Sequence, residues 1–277
     1  MKCVITAAGK GTRLLPITKE LPKEMMPIFT RIYGESRVVI PLLQYIFEQL
    51  YALNMRDYCF VVGREKRSIE DHFTPHDSYL KELSGTNKAL ISKFYQRLEK
   101  SHIMWTNQNK PRGFGDAVRL TEKYIGRDDF IVHAGDVSIL SKSSHPVERL
   151  IKTAKSDPSI SAVLLLKKVK DTKRYGVPKI NKTNSYYIVE EVEEKPDKPK
   201  SSFGILPLYY FKPEIFDCLR KIKPGKGGEY QLTDGIQKLI EDGKKVVAVI
   251  LEKEEIEIDV GTVESYRYAQ EVSYKKA

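Results

Sequence analysis

Long apolar runs are missing. No stretch approaches the ~20 residues that a bilayer-spanning helix needs, so the 277-residue chain reads as globular, with no membrane partner. Cysteine is scarce: Cys3, Cys59 and Cys218 are the only three and lie far apart. That spacing excludes a disulfide framework and paired zinc ligands. Two of the three sit in apolar, strand-like runs, so reduced packing residues of a cytoplasmic protein are expected. The chain opens without a charged-then-apolar leader, so no secretion signal is expected. Internal repeats and low-complexity tracts are also lacking. The formal charge is +10, yet no nucleic-acid module appears and the aromatic residues form no stacking pattern. Lys and Arg are spread over nearly all segments, as on a solvated charged surface or around a small polyanion. No nucleic acid partner is expected.

What is present is alternation of strand-like and helix-like segments. Residues 39–53 place Val39, Leu42, Leu43, Ile46, Phe47, Leu50 and Leu53 on one helical stripe, at the 3.6-residue period. Strands are expected at 3–8, 57–63, 102–106, 129–134, 159–169, 186–193, 203–211 and 245–251. Helices are expected at 65–73, 116–124, 147–154, 213–221, 232–241 and 263–272. The polar, helix-prone residues 78–100, interrupted by Gly85, read as an inserted helical excursion. Such alternation predicts an α/β fold with a mostly parallel sheet covered on both faces. Ligands in such folds bind at the carboxyl ends of strands. The three sharpest loops, at 8–13, 107–115 and 135–136, all follow predicted strands.

The first of these loops carries phosphate-binding chemistry. Gly9 and Gly11 permit positive φ and close backbone approach, which lets successive N–H groups point at an anion. Two common phosphate motifs are excluded. The dinucleotide fingerprint needs glycine where Leu14 stands, and the P-loop needs a Gly-Lys-Ser/Thr that the chain lacks here. Arg13 follows directly, and Lys23 stands ten residues further on beside Pro22. Arg offers phosphate a planar fork and Lys a point charge. A structural glycine turn and a phosphate loop both fit the glycines alone; the two cations favour the second.

With these residues in view, A-A-G-K-G-T-R-L-L-P-I-T-K-E-L-P-K-E-M-M-P resembles the signature of the sugar-1-phosphate nucleotidyltransferases. Leu21-Pro22-Lys23-Glu24-Met25 is most similar to the bacterial-type UTP–glucose-1-phosphate uridylyltransferases, and the resemblance runs through essentially the whole chain. It implies a Rossmann-like, GT-A-like fold in a single domain over 1–277, with a helical insertion at about 78–100 and a sugar-binding portion at about 170–230. It implies UTP and glucose 1-phosphate as substrates, Mg²⁺ as cofactor, and a homo-oligomer. Arg13 and Lys23 would be the catalytic cations, and Ala8, Gly9, Gly11 and Thr12 would line the nucleotide.

The resemblance extends motif by motif. In Asn107-Gln108 with Gly113-Phe114-Gly115, Gln108 would hydrogen-bond the pyrimidine edge and Gly113 would admit the base. Gly135-Asp136 and Asp259-Val260-Gly261 resemble the two metal aspartates. A carboxylate beside phosphates is disfavoured unless a cation sits between them, so Mg²⁺ follows for Asp136 on physical grounds too. A helix cap remains the competing reading of both Asp136 and Asp259. Tyr175-Gly176-Val177, Glu194-Lys195-Pro196 and Tyr209 resemble the sugar side. There Gly176 would admit the hexose, Glu194 accept sugar hydroxyls and Lys195 hold the sugar phosphate. Residues 229–234 resemble an element whose main expected role is capping and packing.

The chain also departs from the pattern. Residues 30–38 make a longer connection than usual. Arg112-Gly113-Phe114-Gly115-Asp116 replaces a more usual Lys-Gly-Leu-Gly-His. Ser202 and Pro207 stand where Asn and Gly are common. The same residues also fit dTTP, another hexose or N-acetylhexosamine 1-phosphate, or a non-catalytic sugar-nucleotide sensor.

Overall fold

The computed structural model describes residues 1–32, 34, 36–141 and 144–277. Thirteen strands run among them: β1 Lys2–Ala7, β2 Pro27–Thr30, β3 Val38–Pro41, β4 Asp57–Gly63, β5 His102–Gln108, β6 Phe130–Ala134, β7 Val137–Leu140, β8 Ile160–Lys168, β9 Gly176–Lys182, β10 Tyr187–Glu194, β11 Phe203–Phe211, β12 Lys245–Ile250 and β13 Ile256–Asp259. Nine form one sheet in the order β5-β4-β1-β6-β11-β8-β12-β10-β9. Only β11 and β10 run against the common direction. The sheet is therefore mixed and mostly parallel, as the alternating pattern predicts.

Neighbours along β1 part to opposite faces, as the strand period of two requires. Ile5 joins a core under the helix Leu42–Ala52, while Val4 joins one under the helices Ile215–Lys221 and Leu232–Glu241. Burial on both faces explains why the central strands read as continuous apolar runs. The parallel set β5-β4-β1-β6 ends at Gln108, Gly63, Ala7 and Ala134, which neighbour one another by register. All three sharp loops therefore leave the sheet along one edge.

Several expectations need correcting. Residues 39–41 are not helix: they belong to β3, and the helix begins at Leu42. Pro41 lacks the N–H of a helix interior and biases Ile40 to extended backbone. Val39 consequently faces outward, 56% exposed. Within residues 30–38, Thr30 ends β2 and pairs with Val38, which opens β3; Tyr33 and Glu35 lie outside the described residues. The helix expected at 116–124 is two pieces, Phe114–Arg119 and Glu122–Ile125. Between them the buried Thr121 hydroxyl donates back to the Val118 carbonyl, a local bond that competes with the helix ladder. The helical residues after β4 fall into Arg67–His72, Asp77–Glu82 and Gly85–Glu99. No helix among the described residues is long and apolar enough to cross a membrane.

Candidate active site

A cavity of about 800 Å³ opens along the edge where β1, β5 and β6 end. Its wall contains Ala8, Gly9, Gly11, Thr12, Arg13, Lys23, Gln108, Gly113, Asp136, Gly176, Glu194, Lys195, Tyr209 and Asp259. All the candidate catalytic, nucleotide, sugar and metal residues expected from the sequence are thus brought to one place.

The glycine loop is built differently from its sequence reading. Gly11 alone has positive φ there, at 67°. Its carbonyl accepts from the Thr18 hydroxyl at 2.8 Å and from Leu14 N at 2.9 Å. Gly9 serves a different purpose: a Cβ on it would stand 3.3 Å from Cε and 3.4 Å from Nζ of Lys23 and would press on them. The lysine crosses directly over the loop at that point.

Lys23 reaches its position from the short turn Lys23–Met25. Its ammonium donates to the Asp136 carboxylate, and the two side chains are 13% and 20% exposed. Burial opposes the lysine's charge, but Asp136, Glu24 and Asp259 outweigh it and raise its pKa. Burial likewise opposes the Asp136 carboxylate, while Lys23, backbone hydrogen bonding and Arg13 hold it below the usual range. Beneath them Glu24, 1% exposed, accepts from Lys66 Nζ at 3.0 Å. This second ion pair ties the Lys23 turn to the loop after β4.

Asp259 ends β13, whose antiparallel pairing places it opposite Val137, the neighbour of Asp136. It does not cap the last helix. Thr262 does that, with Ser265 completing the capping box. Instead Asp259 Oδ1 accepts from Gly261 N at 2.8 Å, and a Cβ on Gly261 would lie 3.4 Å from an Arg13 Nη. Burial, then the charge of Asp136, raise the Asp259 pKa. Two carboxylates that repel each other inside a cationic cavity fit a hard divalent cation. No third acidic, His or Cys residue joins them in a metal-binding group among the described residues. A divalent cation of this kind needs few protein carboxylates when phosphate and water oxygens fill its remaining positions.

The cavity wall also holds Glu194. Its Oε2 accepts from the Thr233 hydroxyl at 2.7 Å and its Oε1 lies 3.0 Å from Lys195 Nζ. Consecutive residues of a strand normally face opposite sides. Lys195 has φ 47°, and this left-handed backbone lets both side chains line the cavity. A Cβ on Gly176 would meet Thr233 Oγ1 at 2.8 Å. Glycine at 176 therefore makes room for the threonine. Tyr209 is buried, with its ring 6.0 Å from that of Phe114. Pro207 lines the cavity inside a register shift between Leu206 and Tyr209, where a strand tolerates proline. Ser202 does not line it.

Sequence reasoning missed Thr233, Glu24, Lys173, Arg174 and Glu257, all in the cavity wall. The run Lys173-Arg174 before Tyr175 was a visible signal. Thr233 and Glu24 stood inside quoted motifs, but their partners lie 39 and 42 residues away.

A glycine loop, the exposed Arg13, the half-buried Lys23 and two facing carboxylates at strand ends mark a nucleotide-handling α/β enzyme. The Nucleotidyl transferase family profile matches residues 2–275, and the chain belongs to that family. It is 35% identical over 246 residues to the UTP–glucose-1-phosphate uridylyltransferase of Bacillus subtilis (strain 168), covering 87% of this chain and 80% of that one. It is 34% identical over 249 residues to the putative UTP–glucose-1-phosphate uridylyltransferase of Methanocaldococcus jannaschii, covering 87% and 82%. Its fold matches a UDP-glucose pyrophosphorylase solved with UDP-glucose, at a TM-score of 0.84, 29% identity, and coverage of 100% and 99%.

Proposed function

We propose that this chain transfers a uridylyl group from UTP to glucose 1-phosphate and releases pyrophosphate. The observation that carries the reading is the convergence of Lys23, Arg13, Asp136 and Asp259 on one cavity whose wall also holds Glu194, Lys195 and Thr233. The two relatives and the UDP-glucose complex support the choice of substrates.

The sugar phosphate is an anionic nucleophile near neutral pH, so no general base is required. A phosphate oxygen of glucose 1-phosphate bonds to the α-phosphorus of UTP, and the bond from that phosphorus to the bridging oxygen breaks. The electron pair leaves with pyrophosphate. The obstacle is charge, because two polyanions must meet in line. Catalysis then consists of positioning and neutralisation. Lys23 neutralises the α-phosphoryl oxygens, Arg13 the departing pyrophosphate, and Lys195 aims the attacking phosphate. Glu194, held by Thr233, accepts from sugar hydroxyls. Asp136 and Asp259 would hold Mg²⁺, which supplies Lewis-acid neutralisation of phosphate charge when bound.

A pyrophosphate-release matrix tests this. UTP, dTTP, CTP, GTP and ATP are crossed with several sugar 1-phosphates, with and without Mg²⁺. Fastest release from UTP with glucose 1-phosphate, abolished by chelation, is expected. Activity confined to GTP or ATP would overturn the reading.

A further inference from the structure

Gln108 ends β5 with its side chain in the cavity wall, 5% exposed. Its amide nitrogen has two hydrogens, and both are committed. One goes to the Gly113 carbonyl at 3.1 Å and the other to Asp116 Oδ2 at 2.9 Å. Both partners only accept: one is a carbonyl, the other an ionised carboxylate. Asp116 is 2% exposed, yet its charge is secured on several sides. Arg112 donates from Nη2 to Oδ1 at 2.8 Å and from Nε to Oδ2 at 3.3 Å, and Arg119 donates from Nη2 to Oδ1 at 2.9 Å. A carbonyl oxygen turned toward this carboxylate would be repelled, so the orientation of the Gln108 amide is dictated by chemistry. What remains for the cavity is Oε1, to which no described residue donates.

We propose that Asp116 is a positioning residue that sets base specificity by locking Gln108 with its acceptor oxygen toward the base. The inference rests on the uridylyl-transfer reading and deepens it. An acceptor fixed against the base edge selects a ring nitrogen that carries hydrogen. Uracil offers N3–H there. Cytosine offers a lone pair on N3, which meets Oε1 with repulsion and leaves a buried polar atom unpaired. Sites that commit a buried hydrogen-bonding group in this way discriminate far more strongly than apolar pockets. The aspartate matters because it can only accept. The histidine more usual in the pattern this segment resembles can present either a donor or an acceptor and would not force the amide.

The test is the ratio of kcat/KM for UTP to that for CTP, with glucose 1-phosphate saturating, in the wild type and in Asp116→Asn, Asp116→Ala and Asp116→Glu. Asparagine can offer its NH₂ to Gln108 and turn the amide over. Alanine leaves Arg112 and Arg119 free to attract Oε1. Both variants are expected to lower the ratio by about tenfold or more, whereas glutamate, still an acceptor, keeps it high. A purely structural role would depress both nucleotides together and leave the ratio unchanged, and that result would overturn the proposal. Should the variants fail to fold, the wild type decides with N3-methyl-UTP, which cannot donate from N3. Turnover reduced about 100-fold or more against UTP supports the proposal; equal turnover overturns it. UTP turnover with equal use of CTP by the wild type overturns the proposal alone. No UTP turnover at all overturns the uridylyl reading and this inference with it.

Discussion

The ammonium of Lys23 donates to the carboxylate of Asp136, 113 residues further along the chain. This contact joins the turn after the glycine loop to the end of β6, and it places a cation where the proposed reaction concentrates negative charge. Lys23→Met keeps the length of the side chain and removes its charge. Turnover is expected to fall by about 10²–10³, the usual loss for one preorganised charge contact, while far-ultraviolet circular dichroism stays unchanged. Near wild-type turnover would remove Lys23 from the catalytic assignment.

The position of Lys23 depends on the pair beneath it. Lys66→Met strands the buried Glu24 carboxylate without its partner at 3.0 Å. Removing one member of such a pair typically costs about 3–5 kcal/mol. Urea denaturation should show a loss of that order. The double variant Glu24→Met/Lys66→Met should recover most of it, because two apolar side chains leave no unpaired charge. A double variant as unstable as the single one would show that packing, not the ion pair, holds the turn.

Two of the loops that carry chemistry, Ala8–Arg13 and Gly135-Asp136, were legible because each follows a strand whose burial on both faces makes a continuous apolar run. Gln108–Gly113 instead follows the half-exposed edge strand β5 and was marked by its own turn residues. The four-residue strands β2, β3, β7 and β13 were not legible, since four residues cannot display a period. That omission mattered at β13, which carries Asp259 to the side of Asp136. The individual reasons for glycine were hidden as well. Gly113 was expected to admit a base, yet at φ 119° its Cβ would collide with the Tyr230 backbone at 2.6 Å. Glycine at 113 is required by a neighbouring loop more than a hundred residues away. Contacts of that kind are set by how elements pack, and no local pattern announces them.

Acid should destabilise the protein through buried histidines. Burial pushes the pKa of His72 down to about 4, that of His133 to about 4 and that of His145 to about 3. An unfolded imidazole takes its proton near pH 6.5. Between pH 6.5 and 4 the unfolded chain therefore binds more protons than the folded one, and stability falls as pH falls. The stabilisation is complete above pH 6.5 and is lost progressively toward pH 4. Each imidazole contributes a slope of up to about 1.4 kcal/mol per pH unit. In His72→Gln the side chain still can donate to Gln44, the present partner at 2.9 Å, but cannot titrate. Its stability profile from pH 6.5 to 4.5 should be flatter by about one proton, and an unchanged slope would exclude His72 as a contributor.

Thr233 offers a test of the proposed sugar contacts apart from the nucleotide contacts. Its hydroxyl donates to Glu194 Oε2 at 2.7 Å from the first turn of the helix Leu232–Glu241. Valine has nearly the same shape and no donor. In Thr233→Val the Glu194 carboxylate loses a hydrogen bond to a charged group, which is worth about 1.5–3 kcal/mol. The carboxylate is then free to turn away from the sugar hydroxyls it is proposed to accept from. Part of that loss is regained by water and by Lys195, 3.0 Å from the other oxygen. A rise of about tenfold in KM for glucose 1-phosphate is therefore expected, corresponding to about 1.4 kcal/mol. The KM for UTP should stay within about twofold, because Arg13 and Lys23, proposed to meet its phosphates, are not hydrogen-bond partners of Thr233 or Glu194 among the described residues. Steady-state kinetics with each substrate varied in turn separates the cases. A parallel rise in both KM values would mean that Thr233 supports the cavity as a whole and not its sugar contacts.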